Sequence, residues 1–554
     1  MKATSLKRKT ENQKLIKLLV FLFFSLLHQH GFCQHKNAPL NREWALDLEK
    51  KHNAIYTFSA NAIVHDSIVN KVELADSILP LPIIFTAFKP IIISAIPIKK
   101  DTTKSLVFRK IKKESLVSIS DSSDKFILTI DPLFNFEFGR DYADSSKSFY
   151  KNTRGALVRG NIGNQFSFES SFYENQATFV NYLKKFNDAY LIIPGQGRWK
   201  KFKDTGYDFA MASGYVMYTP SKHFNFQIGH GKHFIGDGYR SLLLSDNAFN
   251  YPFARLTTTF GKIQYTNLYA SFMNLSYGGV TTPKGTERLF QKKAASFQYL
   301  NWNAHSSIQL GLFQGLIWKA SDSLNKQCIK LPFASPLIYT AAISEGLTGN
   351  NNILLGATFK LKFTNTFYVY GQYMLDDFGA GFNTYKSGLQ LGLKYFDVFG
   401  LKNLHMQLEG NSVHPYSYAA TNATQSYTHY NQALAHPLGS NFSEAIIILN
   451  YKVGDFFTQA KFNFATTGFD ELGLNYGNNI FYSDTLNVPN SQTGDSRSLR
   501  IIDMHIGYLV NPATNLNIFV GISNRSSISP IENSQTNFVY FGIRTSLQNI
   551  YYDF

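Results

Sequence analysis

"QFSFESSFYEN", residues 165–175, sets Phe166, Phe168 and Phe172 on one side of an extended chain and Gln165, Ser167, Glu169 and Ser171 on the other. Successive side chains of a strand point to opposite faces, so this stretch reads as a strand with one apolar and one polar face. The alternation recurs. In "NLHMQLEGN" Leu404, Met406 and Leu408 interleave with His405, Gln407 and Glu409. Ile502, Met504, Ile506 and Tyr508 interleave with Asp503, His505 and Gly507, and Leu516, Ile518, Val520 and Ile522 with Asn515, Asn517 and Gly521. A soluble sandwich or propeller also alternates, but its polar face meets solvent and carries more Lys and Glu than these strands do. The pattern predicts an all-β, transmembrane outer-membrane β-barrel, apolar toward lipid and polar toward its lumen.

Composition agrees. The chain holds 49 Phe and 32 Tyr in 554 residues, with 17% charged residues, against about 25% in soluble domains. Lipid-facing walls and aromatic girdles account for both features. No second apolar run is clean enough for a membrane helix: the best, 79–98, is broken by Pro80, Pro82, Pro90 and Pro97 and carries Lys89. Connections alternate in length. "TPSK" from Thr219, "TN" near Asn365, "VGD" from Val453 and "NPAT" from Asn511 are tight, whereas those from Asn175, His230, Leu275, Lys319, His414 and Thr467 are long. Short periplasmic turns opposite long outer loops predict about eighteen antiparallel strands. The closing "NIYYDF", with Phe554 last and aromatics just before it, resembles the C-terminal assembly signal of such barrels.

Three regions follow. Residues 1–33 are expected to be a signal peptide: six cations precede the apolar Leu18 to Leu27, and Phe32 is too large for lipidation of Cys33. Its removal would lower the formal charge from +16 to +11 and leave Cys328 as the one cysteine, without a disulfide partner. Residues 34–124 form an N-terminal periplasmic or plug segment, in which "NREWALDLEKKHNA" suits a short helix and Lys99 to Lys113 holds seven cations against Asp101. Three placements are open to it: plugging the lumen, capping the periplasmic mouth or lying in the periplasm. Residues 125–554 form the barrel.

"HFNFQIGHGKHFIGDGYRSLLLSDNAFNYPFAR", residues 223–255, breaks the pattern with glycines, cations and three consecutive leucines. A phosphate loop needs a helix after its glycines, and none follows Gly238. His230 and His233 without a carboxylate or thiolate at ligand spacing do not make a metal site. What remains is a loop that leaves a strand at Gly229 and folds back over the rim with its leucines inward. This stretch, together with "DPLFNFEFGRD", "NTRGALVRGNIGNQFSFESSFYENQAT", "PGQGRWKKFKDTGYDFAMASGYV" and "NIYYDF", resembles the Wzi-type capsule-assembly outer-membrane proteins, in particular the branch called gliding-motility protein RemB. The resemblance covers about Ile130 to Phe554. It implies a barrel of about eighteen strands with an N-terminal helical part at the periplasmic end, outer loops that engage polysaccharide, and a cell-surface part in motility.

Sugar rings offer C–H faces for stacking and hydroxyl edges for hydrogen bonds, so a glycan site wants exposed aromatics beside polar and cationic groups. Arg198 and Trp199 in one loop, and Lys232, His233, Asp237, Tyr239 and Arg240 in the other, supply that mixture. The competing reading makes them rim structure, with Trp199 an interface aromatic and Arg240 bridging Asp237 or lumenal carboxylates. Expected partners are cell-surface or capsular polysaccharide, outer-membrane lipid, and motility or capsule-export proteins, with no nucleic acid. No cofactor is expected. Enzyme chemistry is not expected either, since Asp376 with Asp377 and scattered histidines form no acid/base or nucleophile signature. The alternative function is a porin or transporter channel.

Overall fold

The computed structural model describes residues 35–37, 40–42, 46, 49–50, 90–92, 104–121, 126–144, 148–163, 165–221, 223–275, 290–320, 331–345, 351–378, 385–470, 475–483 and 495–554. The expected signal peptide and most of the proline-interrupted stretch lie outside the described residues. Eighteen long strands close into one antiparallel barrel. They are β1 (Phe126–Asp141), β2 (Ser148–Ile162), β3 (Phe166–Ala177), β4 (Gly206–Ser221), β5 (Phe224–Gly231), β6 (Tyr251–Phe260), β7 (Ile263–Asn274), β8 (Gln291–His305) and β9 (Ile308–Lys319). The second half comprises β10 (Asn352–Lys362), β11 (Phe367–Phe378), β12 (Tyr385–Phe396), β13 (Leu404–Val413), β14 (Phe442–Val453), β15 (Phe456–Gly468), β16 (Ser496–Asn511), β17 (Leu516–Ile528) and β18 (Asn533–Arg544). Closure pairs every backbone group that lipid cannot satisfy. At the seam, one edge of β1 is shared: β18 pairs its outer part, Phe538↔Asp141 to Arg544↔Asn135, and a short strand, Val117–Ser120, pairs its inner part. That short strand belongs to the stretch assigned above to the N-terminal segment.

The alternation read from sequence is the wall. Ile518, Val520 and Ile522 of β17 are exposed outward, whereas Asn517 and Phe519 are buried inward. The tight turns gather at one end, where outward aromatics form a girdle: Phe166 stacks on Tyr218 at 4.6 Å, and Phe456 meets Tyr508 at 5.0 Å. Such a girdle marks a membrane–water interface, and short turns mark the periplasmic side. A closed barrel with this wall places the protein in the outer membrane.

Some connections depart from simple outer loops. The one between β9 and β10 folds down the outside of the barrel over residues 331–345, where Phe333 and Ala341 pack on Leu316, Trp318 and Ile353. It covers an outward row of amides, because the Gln298 side chain donates to Ser335 O at 3.4 Å and the Gln314 amide donates to Gln298 at 3.1 Å. Tyr269 and Tyr265 hold the same segment through Ala334 O and Pro336 O. The connection between β5 and β6 instead turns into the lumen.

The C-terminal residues lie beyond the wall. The last strand, β18, ends at Arg544, and "NIYYDF" does not extend it. Residues 545–554 turn back into the lumen. Thr545 N donates to Phe134 O at 2.9 Å and Ser546 N to Thr514 O, beside a periplasmic turn, at 3.1 Å. At the other end, Phe554 packs on Phe186 of α2 (Asn181–Tyr190), in the outer loop between β3 and β4, with ring centroids 4.8 Å apart. A ten-residue extended chain reaches roughly 33 Å, about the depth of a bilayer core. The tail therefore runs the length of the lumen.

Candidate functional site

Residues 232–250 enter the lumen because the chain lacks side chains where it must bend. A Cβ on Gly236, whose φ is +120°, would lie 1.9 Å from Gln372 Nε2. One on Gly238 would meet Arg240 O at 2.5 Å and Glu409 Oε2 at 2.7 Å. Between these points, inward groups of the wall capture the loop. Gln372 of β11 accepts from Leu242 N at 2.8 Å and donates to Ile235 O at 2.9 Å. Glu409 of β13 accepts from Tyr239 N and Arg240 N at 2.6 and 2.9 Å. Leu242, Leu243 and Leu244 are fully buried against Phe297, Phe313, Leu354 and Met374. Gly238→Ala is therefore expected to destabilise the barrel by about 1–3 kcal/mol, seen as a lower temperature of gel-mobility shift. Gly231→Ala, whose Cβ would sit 3.6 Å from Phe253, serves as the neutral control.

This placement corrects the expectation that Lys232, His233, Asp237, Tyr239 and Arg240 stand on the outer surface. Lys232 Nζ donates to Gly195 O at 2.5 Å and Asp246 O at 3.2 Å, and burial lowers its pKa to about 8 despite Asp246. His233 Nδ1 lies 3.1 Å from the Tyr251 hydroxyl, and burial keeps its pKa well below the ordinary value. Asp237 pairs with Lys360 of β10 at 3.0 Å. The reason is pairing: each of these groups meets an inward partner on the wall, the tail or a neighbouring loop, which the outer surface would not provide.

Arg240 sits at the centre, 1% exposed. It bridges Glu444 of β14 and Asp553 of the tail, both at 3.1 Å, and donates to Asp553 O at 2.8 Å. Lys461 of β15 pairs with Asp553 at 2.9 Å, and His436 Nε2 lies 2.7 Å from Glu444. A buried charge is tolerable only when paired and hydrogen-bonded, and Asn411 and Asn463 complete Glu444 at 3.1 and 2.9 Å. Three chain segments meet here: the loop, the tail and the connection between β13 and β14. That last connection closes over the loop, since Tyr418 and Tyr427 donate to Leu242 O and Leu243 O at 2.8 and 2.7 Å.

The described residues between 40 and 50 join from the periplasmic side. Arg42 donates to Gly238 O at 2.7 Å and stacks over Phe234 and Tyr239 at 4.7 and 4.9 Å. Glu49 pairs with Lys394 at 2.9 Å, and Lys50 with Asp397, in a periplasmic turn, at 2.8 Å. Of the three placements left open, these residues take the lumen and its periplasmic mouth. Two cavities remain beside the tail. One of ≈ 250 Å³ adjoins Arg42, Lys232 and Arg255, and one of ≈ 350 Å³ adjoins Lys151, Asp503 and Arg525.

Arg198 and Trp199 alone of the predicted set stay at the outer end. Trp199 is half-buried, donates from Nε1 to Asn187 O at 3.0 Å, and meets Tyr207 edge-on at 4.6 Å. Arg198 is exposed over the Phe290 ring at 5.1 Å. Lys200–Phe202 forms a short strand on β4, and the exposed Lys200, Lys201 and Lys203 follow Arg198 along it. The result is a cationic ridge around two partly buried rings, Trp199 and Phe202, on the outer face. Among the described residues no cluster of three or more His, Cys, Asp or Glu is placed to hold a metal.

No protein-family model matches the sequence, and no curated relative does. Solved structures similar to the chain include Escherichia coli Wzi, described as an outer-membrane protein involved in group 1 capsule assembly and a carbohydrate-binding β-barrel. It shares 12% identity over 76% of this chain and 85% of its own, with a TM-score of 0.47. Pseudomonas aeruginosa OprD shares 11% identity over 78% of this chain and 98% of its own, at a TM-score of 0.40. Acinetobacter baumannii OccAB2 shares 11% identity over 76% and 98%, at a TM-score of 0.43.

Proposed function

We propose that this barrel is a binding protein, without catalysis, that holds an anionic cell-surface polysaccharide on its outer face. The observation that carries this reading is the filled lumen: loop 232–250, the tail and the connection between β13 and β14 occupy it, bonded to the wall and to one another. Ligand contact then falls to the outer surface, where Arg198, Lys200, Lys201 and Lys203 present cations beside Trp199 and Phe202. Phosphate or carboxylate groups of a polysaccharide answer those cations, and the rings offer faces for stacking. The sequence resemblance to Wzi-type proteins points the same way, toward capsule attachment or, in its RemB branch, surface gliding.

A channel is the second reading. It is favoured by the two cavities beside the tail, which lie on the lumen side of β1–β6 and β12–β18 and are lined in part by charged groups. The test measures both properties on one preparation. Purified protein in proteoliposomes should retain an acidic polysaccharide in a salt-dependent way, and the Arg198→Gln, Lys200→Gln, Lys201→Gln, Lys203→Gln variant should lose most of that retention while keeping its heat-modifiable mobility. Unchanged retention in the variant, with steady conductance of the native protein in planar bilayers, would replace the binding reading with the channel. A deletion strain tested for capsule release and for surface spreading assigns the cellular role.

A further inference from the structure

The helix α1 (Leu106–Lys112) is capped by Ser105, whose hydroxyl accepts from Phe108 N at 3.4 Å. Its apolar residues pack into nothing among the described residues: Leu106, Val107, Phe108 and Ile111 are 43–65% exposed. Val107, Phe108 and Ile111 share one side of the helix, because residues three and four apart are neighbours. Its cations lie elsewhere on the helix. Arg109 and Lys110 are held by Glu114 at 2.9 and 3.4 Å, and Lys112 and Lys113 follow. A soluble helix so arranged would be a liability, which asks what covers it.

Its position supplies the answer. Asn511, at the periplasmic end of β16, donates to Lys110 O and Glu114 O at 2.9 and 3.0 Å. Lys112 Nζ stands 5.2 Å from the ring centre of Tyr508, an outward residue of the periplasmic girdle. Immediately after the helix, Val117 and Ile119 pair opposite Ile130 and Leu128 of β1, on the lipid-facing side of the seam, and are themselves exposed. The apolar side of α1 therefore continues the belt that the barrel already presents to lipid.

We infer that residues 105–119 are a membrane-interface anchor, with α1 lying in the periplasmic leaflet, Val107, Phe108 and Ile111 among acyl chains, and Lys112 and Lys113 toward anionic phospholipid headgroups. An amphipathic helix with basic residues beside its apolar stripe binds at this depth, and its affinity rises with anionic lipid. A protein partner is the competing occupant. The two are separated with the full chain carrying Cys33→Ser and Cys328→Ser and one new cysteine, Val107→Cys or Ile111→Cys, labelled with an environment-sensitive fluorophore. The protein is reconstituted in vesicles of phosphatidylcholine with and without phosphatidylglycerol. Both labels should show blue-shifted emission, quenching by brominated acyl chains and protection from iodide. Lys112→Gln with Lys113→Gln should abolish any gain from phosphatidylglycerol. A label at Val520, on the belt, verifies insertion. Water-like emission at Val107 and Ile111, with Val520 buried in lipid, would overturn the anchor and leave a protein partner.

Discussion

Deleting residues 546–554 is expected to turn a barrel with little conductance into an open pore. The tail runs from the periplasmic turn at Thr514 to the outer helix at Phe186 and separates two cavities of ≈ 250 and ≈ 350 Å³. It is flanked by inward polar and charged groups, among them Lys151, Asp503 and Arg525. Removing it leaves a water-compatible passage along β15–β18 and β1–β3, while loop 232–250 stays fixed to β11 and β13 through Gln372 and Glu409. Planar-bilayer recordings should show discrete current steps for the truncated protein and few for the full chain. If both give the same trace, with heat-modifiable mobility intact, the tail is not the seal.

Arg240→Ala should be the most damaging single substitution in the lumen. It leaves Glu444 and Asp553 buried beside each other without their shared cation, and breaking a buried pair typically costs about 3–5 kcal/mol. Arg240→Lys should recover only part, because one ammonium cannot reproduce the forked contacts to Glu444, Asp553 Oδ1 and Asp553 O. Arg240→Met combined with Glu444→Gln and Asp553→Asn should recover more. The pH response carries a sign. Burial alone would raise the Asp553 carboxyl, but Arg240 and Lys461 outweigh it and hold it below its ordinary value. A depressed carboxylate stabilises above its unfolded value and loses that contribution as pH falls through the folded one. The native tail should thus loosen on acidification, and Arg240→Ala should move that loosening to higher pH. Denaturation midpoints across pH decide it. A midpoint for Arg240→Ala equal to the native one at neutral pH would refute the ionic core.

The wall was legible because period-two alternation and lipid leave few choices: outward Ile518 and Ile522 and inward His405 and Glu409 fall where the pattern puts them. Turn lengths added the sidedness. The interior was not legible, for particular reasons. Glycines and cations at 229–240 look like a surface loop until Glu409, 169 residues from Arg240, is known to face it. "NIYYDF" has the aromatics of a strand end, and only Asp246, Arg240 and Lys461, brought together by closure, show that its Tyr551 and Asp553 belong inside. Of the predicted binding residues, Arg198 and Trp199 were legible as outer-face groups because they fall in one of the long connections, the one that leaves β3. For the other five, the rim alternative came nearer, naming lumenal carboxylates as the partners of Arg240.

The segment that lies against the outer wall bears on the order in which the protein is built. Its hydrogen bonds join residues 71, 65 and 37 positions apart, and the amide row beneath it joins Gln298 to Gln314, 16 apart. The knot inside joins Arg240 to Asp553, 313 apart. Contacts close in sequence require little loop closure and form first, whereas distant ones wait for the whole chain. The stretch from β7 to β10 can therefore mature as a finished panel, its polar row already shielded, while the rest of the cylinder is still open at its seam. The tail's ion pairs to Arg240 and Lys461 need β15 in place, so its docking belongs, with closure of the seam, to the late steps of assembly.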